Sequence, residues 1–240
     1  MIYCKECTYP LSTVNLAIDD DGICSGCIVS NEKKSINWSE REDEFKKILL
    51  EYKKNKTSDY DCILPVSGGK DSTFQAVYLK DMGLNPLMVT YYTHNYTKTG
   101  TENLENLSKS VGLDHYVFRP NYKVIQKMNR VGFMMLGDMS WHFHCGIYTV
   151  PFIVGNKFNI PLSVYGEHGG IDLVGQFSLN DKPEFTKRLR KEDICRGFSW
   201  RDFMGKDGLS ENDLSWAKFP SDLDVEKNKI RGIFMGNYLF

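Results

Sequence analysis

Apolar positions along this chain alternate between two patterns. Short, nearly unbroken runs read as buried parallel strands: Asp61-Cys62-Ile63-Leu64-Pro65-Val66, Pro86-Leu87-Met88-Val89-Thr90-Tyr91-Tyr92, His115-Tyr116-Val117-Phe118 and Pro161-Leu162-Ser163-Val164-Tyr165-Gly166. Residues 230–240 read as a fifth strand. Between the runs the spacing turns helical. Phe45, Ile48, Leu49 and Tyr52 predict a helix behind the capping box Ser39-x-x-Glu42. Phe74, Val77 and Tyr78 fall at i, i+3, i+4, with Gly83 as the stop. Leu104, Leu107 and Val111 follow a second box, Thr99-x-x-Glu102, and end at Gly112. Two further helical stretches cover residues 121–137 and 140–158. Alternating strands and helices predict an α/β fold with a doubly wound parallel sheet, whose ligand sits at the carboxyl ends of the strands near the topological switch.

At 240 residues the chain holds one α/β domain plus a small module. The expected division is a zinc-ribbon module at 1–35, a connecting helix at 36–57 and the main domain at 58–240. Because the chain stops inside the apolar run Gly236-Asn237-Tyr238-Leu239-Phe240, that domain is expected to continue beyond Phe240. A hydrophobic content of 41% and a charged content of 25% are ordinary for a globular protein. A net charge of −1 leaves no nucleic-acid footprint in the average, so a nucleic-acid partner is not expected. The opening Met1-Ile2-Tyr3-Cys4-Lys5 has no apolar signal core, and the uncharged stretch 139–156 carries His142, His144, Gly146 and Pro151. A buried helix, no membrane and a cytoplasmic location are expected.

Chemistry enters through two patterns. Cys4-x-x-Cys7 and Cys24-x-x-Cys27, sixteen residues apart, match the spacing of a four-thiolate zinc site. Each pair forms a tight knuckle, and Asp19-Asp20-Asp21-Gly22 is a turn between them. Four thiolates leave no open position, so the metal is expected to be structural; an iron–sulfur cluster is the alternative. The second pattern, Ser67-Gly68-Gly69-Lys70-Asp71-Ser72, lies between a strand and a helix, where free N–H groups and the positive helix end face an anion. Lys70 offers a charge for phosphate, and Asp71 can hold Mg²⁺ or cap the helix. The spacing is neither that of the Walker loop nor that of the dinucleotide fingerprint.

Elsewhere, Gly166-Glu167-His168-Gly169-Gly170 follows the fourth strand, on the expected ligand edge; Glu167 reads as a base, a Mg²⁺ ligand, a nucleotide contact or a loop-ordering carboxylate. His142 and His144 diverge on a helix. Cys145 reads as a lone buried thiol, Cys62 as a buried strand residue and Cys195 as a surface thiol. Lys187-Arg188-Leu189-Arg190-Lys191 reads as a solvated helix face or a grip for a phosphorylated substrate.

Ser-Gly-Gly-x-Asp-Ser resembles the PP-loop of the ATP pyrophosphatases, which cleave ATP between the α and β phosphates. A double C-x-x-C ahead of it occurs in some tRNA-thiolating enzymes and in N-acetyl sugar amidotransferases of surface-polysaccharide, O-antigen and nonulosonic-acid pathways. The rest of the chain resembles the second group. The resemblance rests on Gly83-Leu84-Asn85-Pro86-Leu87-Met88-Val89-Thr90, Thr99-Gly100-x-x-Asn103-Leu104, Gly137-Asp138-Met139-Ser140-Trp141, Ile160-Pro161-Leu162 with Gly166-Glu167, and Gly236-Asn237-Tyr238. A departure is His168, where that family often has Asn. The resemblance implies an ATP-dependent, AMP-forming amidotransferase that turns the N-acetyl group of a nucleotide-linked sugar into an acetamidino group. It implies nucleotide binding by Ser67, Gly68, Gly69, Lys70, Asp71, Ser72 and Gly166, catalysis by Lys70, Asp71 and Glu167, and ATP, Mg²⁺ and structural Zn²⁺ as cofactors. No glutaminase nucleophile can be assigned, so ammonia is expected from a separate glutaminase similar to that of imidazole-glycerol-phosphate synthase, with a cyclase-like companion. The alternatives are a tRNA-thiolating enzyme and a non-catalytic zinc-ribbon adaptor.

Overall fold

The computed structural model describes residues 2–240, in the order α1 (Ser25–Glu32), α2 (Trp38–Lys54), β1 (Ile63–Pro65), α3 (Lys70–Asp81), β2 (Leu87–Tyr91), α4 (Lys98–Val111), β3 (His115–Phe118), α5 (Tyr122–Leu136), α6 (Trp141–Phe158), β4 (Leu162–Tyr165), α7 (Gly169–Val174), α8 (Trp200–Phe203), α9 (Asp222–Lys227) and β5 (Arg231–Phe234). The five strands form one sheet in the order β3-β2-β1-β4-β5. β1 pairs in parallel with β2 (Ile63 opposite Leu87, Pro65 opposite Val89) and with β4 (Ile63 opposite Ser163); β2 pairs in parallel with β3. Arg231 N–H donates to Pro161 O and Gly236 N–H to Gly166 O, so β5 runs parallel to β4. This is the expected doubly wound α/β sheet, with β1 at its centre and the switch point between β1 and β4.

The chain divides into two compact units. The larger comprises Leu50–Val164 and Phe185–Gly232. Its core gathers Ile63, Leu87, Val89 and Tyr91 of the strands with Met128, Val131, Trp141, Val150 and Val154 of the helices, plus Phe203, Leu214 and Trp216. Trp141 stacks on Phe203 at 4.2 Å. α6 lies close to the strands because two of its residues are glycines. A Cβ at Gly146 would sit 2.5 Å from the Tyr91 ring, and one at Gly155 would sit 2.8 Å from Ile160 O. Pro151 lies inside α6 and is buried.

The smaller unit comprises Met1–Leu49, Tyr165–Glu184 and Ile233–Phe240, described from Ile2 onward. Two antiparallel bridges, Tyr3 with Pro10 and Ile18 with Cys24, make its ribbon, and Cys4, Leu16, Cys24 and Val174 form its core. Ser25 Oγ donates to Val174 O at 2.5 Å across 149 residues of sequence. A Cβ at Gly175, whose φ is +61°, would lie 2.1 Å from Ser25 O, so only glycine fits there. Arg41 donates to Leu179 O and Asn237 O, and Phe45 stacks on Tyr238.

Several local expectations need correction. α4 is capped by Thr97, whose side chain accepts from Gly100 N–H, not by Thr99. At the start of α2 the side-chain acceptor is Asn37, bonded to Glu40 N–H, and Ser39 is already helical. α3 forms as predicted but turns its other face inward: Ser72, Gln75, Ala76 and Leu79 are buried, whereas Phe74 is 56% exposed and Val77 also faces solvent. The last strand is short, because β5 gives way at Met235 to a 3₁₀ turn through Asn237. Among the described residues, no helix is long and apolar enough to cross a membrane.

Candidate functional site

The glycine loop begins where β1 ends, at the carboxyl edge of the sheet. Val66 N–H donates to Val89 O, and Thr90 Oγ1 donates to Val66 O at 2.6 Å, so the last residue before the loop is fastened to β2. Ser67 N–H then donates to Ser72 Oγ (3.3 Å), Ser72 Oγ donates to Gly69 O (3.1 Å) and Gly69 N–H donates to Ser67 Oγ (3.4 Å). These bonds close the loop on itself. Lys70 opens α3, whose first turn has N–H groups without intrahelical acceptors. Lys70 Nζ lies 2.9 Å from Asp71 Oδ1, and both side chains project into solvent, 91% and 65% exposed.

The two glycines differ in what holds them. Gly68 has φ +79°, and a Cβ on it would lie 2.8 Å from the Leu104 backbone of α4; its lack of a side chain is required by the fold. Gly69 has an ordinary φ of −80°, and a Cβ there would meet only Ser67 Oγ, at 3.4 Å. Packing does not demand a glycine at 69, whereas close approach of a phosphate to the loop would. The loop therefore fits a nucleotide phosphate: helix N-terminus, exposed ammonium, the Ser67 hydroxyl and an open backbone. Asp71 is the carboxylate in position to hold Mg²⁺.

Beside the end of β2 lies a second set of polar groups. His142 on α6 is buried, and its Nδ1 pairs with Tyr91 Oη at 3.1 Å; burial pushes its pKa down to about 4. His144 points elsewhere, as the helical spacing required; burial lowers it too, and its Nδ1 lies 3.9 Å from Asp138 Oδ2. Asp138 also pairs with Arg196 at 2.9 Å and accepts from Ser140 N–H. No local sequence pattern predicted either association.

The cysteines outside the C-x-x-C pairs need two corrections. Cys195 is buried, not at the surface, and Cys145 is not a lone thiol: both belong to the core of the larger unit, and Cys145 Sγ lies 3.5 Å from Thr149 Oγ1. The neighbouring Cys195 thiol, reinforced by burial, raises the pKa of Cys145; the Cys145 thiol, with the Arg190 guanidinium nearby, lowers that of Cys195. Cys62 is buried on the approach to β1, and burial pushes its thiol up. Most of the basic cluster is engaged. Lys187 pairs with Asp222, Arg188 with Glu192 at 2.8 Å, and Arg190 lies 3.9 Å above the Phe219 ring.

In the smaller unit, the Sγ atoms of Cys4, Cys7, Cys24 and Cys27 all lie within 4.8 Å of one another. Cys7 to Cys24 is 3.6 Å and Cys4 to Cys27 is 3.9 Å. A tetrahedral ion with metal–sulfur bonds of about 2.3 Å sets its sulfurs about 3.8 Å apart, so this donor set fits zinc. All seven cysteines are free thiols. Cys24 caps α1 and accepts from Cys27 N–H, while Cys24 N–H donates to Cys4 Sγ at 3.2 Å. Backbone hydrogen bonds, that involving Cys7 first, bring the Cys4 thiol down to about 6, the direction a metal-binding thiolate needs. Burial instead raises Cys24 and Cys27.

Gly166 and Glu167 follow β4 and belong to this smaller unit. Gly166 O is bonded by Gly236 N–H, and Glu167 is exposed. His168, next along, is buried between the rings of Phe177 and Phe234. The ring contacts give the histidine a packing role.

No family model matches the chain. Over 122 residues it is 32% identical to an uncharacterized protein of Methanocaldococcus jannaschii. That match covers 50% of this chain but only 43% of that protein's length. Among solved structures, the chain is similar to an NH3-dependent NAD synthetase from Campylobacter jejuni (15% identity, 81% of this chain and 93% of that one, TM-score 0.44). An NMN synthetase from Francisella tularensis matches at 11% identity, covering 80% and 91%, with a TM-score of 0.46. A predicted tRNA methyltransferase subunit from M. jannaschii matches at 18% identity, covering 72% and 68%, with a TM-score of 0.36. At these scores the three structures assign no role to any residue here.

Proposed function

We propose that this chain is an ATP-dependent, AMP-forming enzyme that activates an amide oxygen and replaces it with nitrogen, acting on the N-acetyl group of a nucleotide-linked sugar. The observation that carries the reading is the contrast within the loop. Gly68 is fixed by packing against Leu104, whereas Gly69 is left open beside an exposed Lys70 at a helix N-terminus. A turn of no function would not need the second glycine.

An amide carbonyl is a poor electrophile and its oxygen a poor leaving group. In the proposed reaction the amide oxygen attacks the α-phosphorus of ATP, the bond to the β-phosphate breaks and pyrophosphate leaves. Ammonia adds to the resulting O-adenylated carbon, a proton is lost, and AMP departs with the former amide oxygen. The chain's contribution is positioning and charge neutralisation. Ser67 and the open backbone at Gly69 would receive the departing pyrophosphate and Lys70 would oppose its charge; Ser72, whose hydroxyl proton goes to Gly69 O, holds the loop in shape, and Asp71 would hold Mg²⁺. Zinc held by Cys4, Cys7, Cys24 and Cys27 would be structural. Ammonia would come from a partner glutaminase, with a cyclase-like companion, and the setting would be cytoplasmic surface-glycan synthesis.

The test incubates the chain with ATP, Mg²⁺, ammonium and a panel of nucleotide-linked N-acetyl sugars. A sugar product carrying NH in place of O, with AMP and pyrophosphate released and both lost in Lys70→Ala, supports the proposal. AMP formation that ignores every sugar overturns it.

A second reading, tRNA thiolation, is favoured by one observation: Cys145 and Cys195 lie in one core cluster rather than apart. Such chemistry needs a cysteine to carry the sulfur. AMP release that requires tRNA and a sulfur donor, and that Cys145→Ser or Cys195→Ser abolishes, decides for this reading. The same variants leave sugar amidination intact under the first.

A further inference from the structure

A cavity of about 670 Å³ opens in the larger unit on the side of the sheet opposite the glycine loop. Its walls come from the last turn of α2, the segments entering β1, β4 and β5, and the end of α6. The loop leaves the carboxyl end of β1, whereas Thr57, Pro161 and Ile230 precede β1, β4 and β5, so the cavity lies at the amino edge. Its volume falls within the usual range for small-ligand pockets, about 300–1,000 Å³.

The lining is unusual in how much of it is uncommitted. The side chains of Glu51, Tyr52, Asn55, Asn159, Lys227 and Lys229 all line the cavity. Among the described residues none of the six has a side-chain hydrogen bond or ion pair, although many other charged side chains of the chain are paired. Arg231 adds a third cation to the wall. Two of the positions are conformationally specified: Asn159 caps α6 with φ 55°, and Lys229 has φ 50°. Non-glycine residues are uncommon in that region.

Charge selects the ligand. The ammoniums of Lys227 and Lys229 oppose Glu51 and the carboxyl-terminal ends of α2, α6 and α9, each helix end counting for at most about half a negative charge. The wall is close to neutral, which does not suit a polyanion. It suits a molecule with one anionic group for the ammoniums and several hydroxyls for Glu51, the carboxamides of Asn55 and Asn159, and the phenol of Tyr52. We infer that this cavity is a second small-molecule site, for a sugar bearing one anionic group, either a phosphate or a carboxylate. This inference does not rest on the chemistry proposed for the glycine loop.

The test is calorimetric titration of the whole chain with glucose 6-phosphate, glucuronate, glucose and inorganic phosphate. One of the two anionic sugars is expected to bind with a Kd of about 1 mM or tighter, and glucose and phosphate at least about tenfold more weakly. Which anionic sugar binds separates the two sources of charge. Lys227→Glu and Lys229→Glu, both at exposed positions and checked by an unchanged Tm, should each weaken the preferred ligand about tenfold or more. Glu51→Gln should weaken it through the hydroxyls alone. Lys70→Ala, at the other edge, should leave it unchanged. Absence of binding by both anionic sugars at several millimolar overturns the inference, and so does binding that survives both lysine reversals.

Discussion

The cysteine cluster and the glycine loop would hold the ligands proposed for them by opposite devices. In the cluster four side chains converge: the sulfurs sit within 4.8 Å of one another, and Cys4 and Cys24 are themselves core residues of the smaller unit. Taking the metal away would leave thiolates facing one another with little else to hold the ribbon together. In the loop the functional side chains diverge. Lys70 and Asp71 point into solvent, while the backbone is held by Ser72, Thr90 and Leu104 from behind. A converging site builds its fold around the ligand, whereas a diverging site has its fold complete before the ligand arrives. Damage should therefore appear as lost structure in the first and as lost chemistry in the second.

The largest effect is expected at the cluster. Cys24→Ser removes a ligand, a helix cap and a core side chain together, and apparent zinc-binding energies of such sites are on the order of 10 kcal/mol. Metal analysis should find the zinc content falling from one ion per chain to nearly none, and proteolysis should cut the first 30 or so residues, as in a ribbon that is unfolded without metal. Next comes Lys70→Ala, which should lower AMP formation ~100- to 1000-fold with no change in Tm, as expected for an exposed charge that acts only on the reacting phosphates. Retained activity would mean that the loop does not neutralise pyrophosphate.

Gly68→Ala forces a left-handed residue and a 2.8 Å clash with the Leu104 backbone; thermal unfolding should show a loss of about 2–4 kcal/mol. Acid should act on the same unit. Unfolded histidine takes up its proton near the ordinary value of 6.5, whereas buried His142 resists until about 4. The unfolded state therefore binds more protons in that window, and stability should fall as pH drops from 6.5 to 4, by on the order of 3 kcal/mol at about 1.4 per pH unit. His142→Gln should flatten that slope; an equal slope would assign it to other groups, His115 and His144 first. The smallest structural effect belongs to Gly69→Ala, within about 0.5 kcal/mol in stability. Its ATP affinity should nevertheless drop, and if it binds ATP as the parent does, the contrast between the two glycines fails.

What the sequence made legible was whatever is decided locally. Strand and helix order followed from runs and spacing, because parallel strands are apolar on both faces. The C-x-x-C spacing marked a cluster whose sulfurs do converge. The errors came where a short pattern has more than one geometric solution. In α3, Phe74 and Val77 satisfied helical spacing, but Ala76 and Leu79 satisfied it equally, and the smaller, closer-packing pair faces inward. The capping boxes matched on residue type, yet the cap belongs to the residue that is still extended when the helix begins; that is Thr97, with ψ 165°. The shared core of Cys145 and Cys195, and the pairing of Tyr91 with His142, join segments some 50 residues apart and leave no local trace. The same holds for the cavity at the amino edge, which is assembled from three stretches of chain, residues 51–57, 155–161 and 227–231, that individually look like ordinary helix ends.

The contact between Ser25 and the Val174–Gly175 backbone also sets a timetable for synthesis. All four cysteines emerge from the ribosome within the first 27 residues, but the segment that Ser25 Oγ grips follows 149 residues later. At ~5–20 residues per second the ribbon waits roughly 7 to 30 s for its packing partner. A metal ion bound in that interval would keep four nascent thiols together and out of reach of oxidants. With zinc as that ion, its availability during translation, more than after it, would govern how much of this chain reaches its finished form.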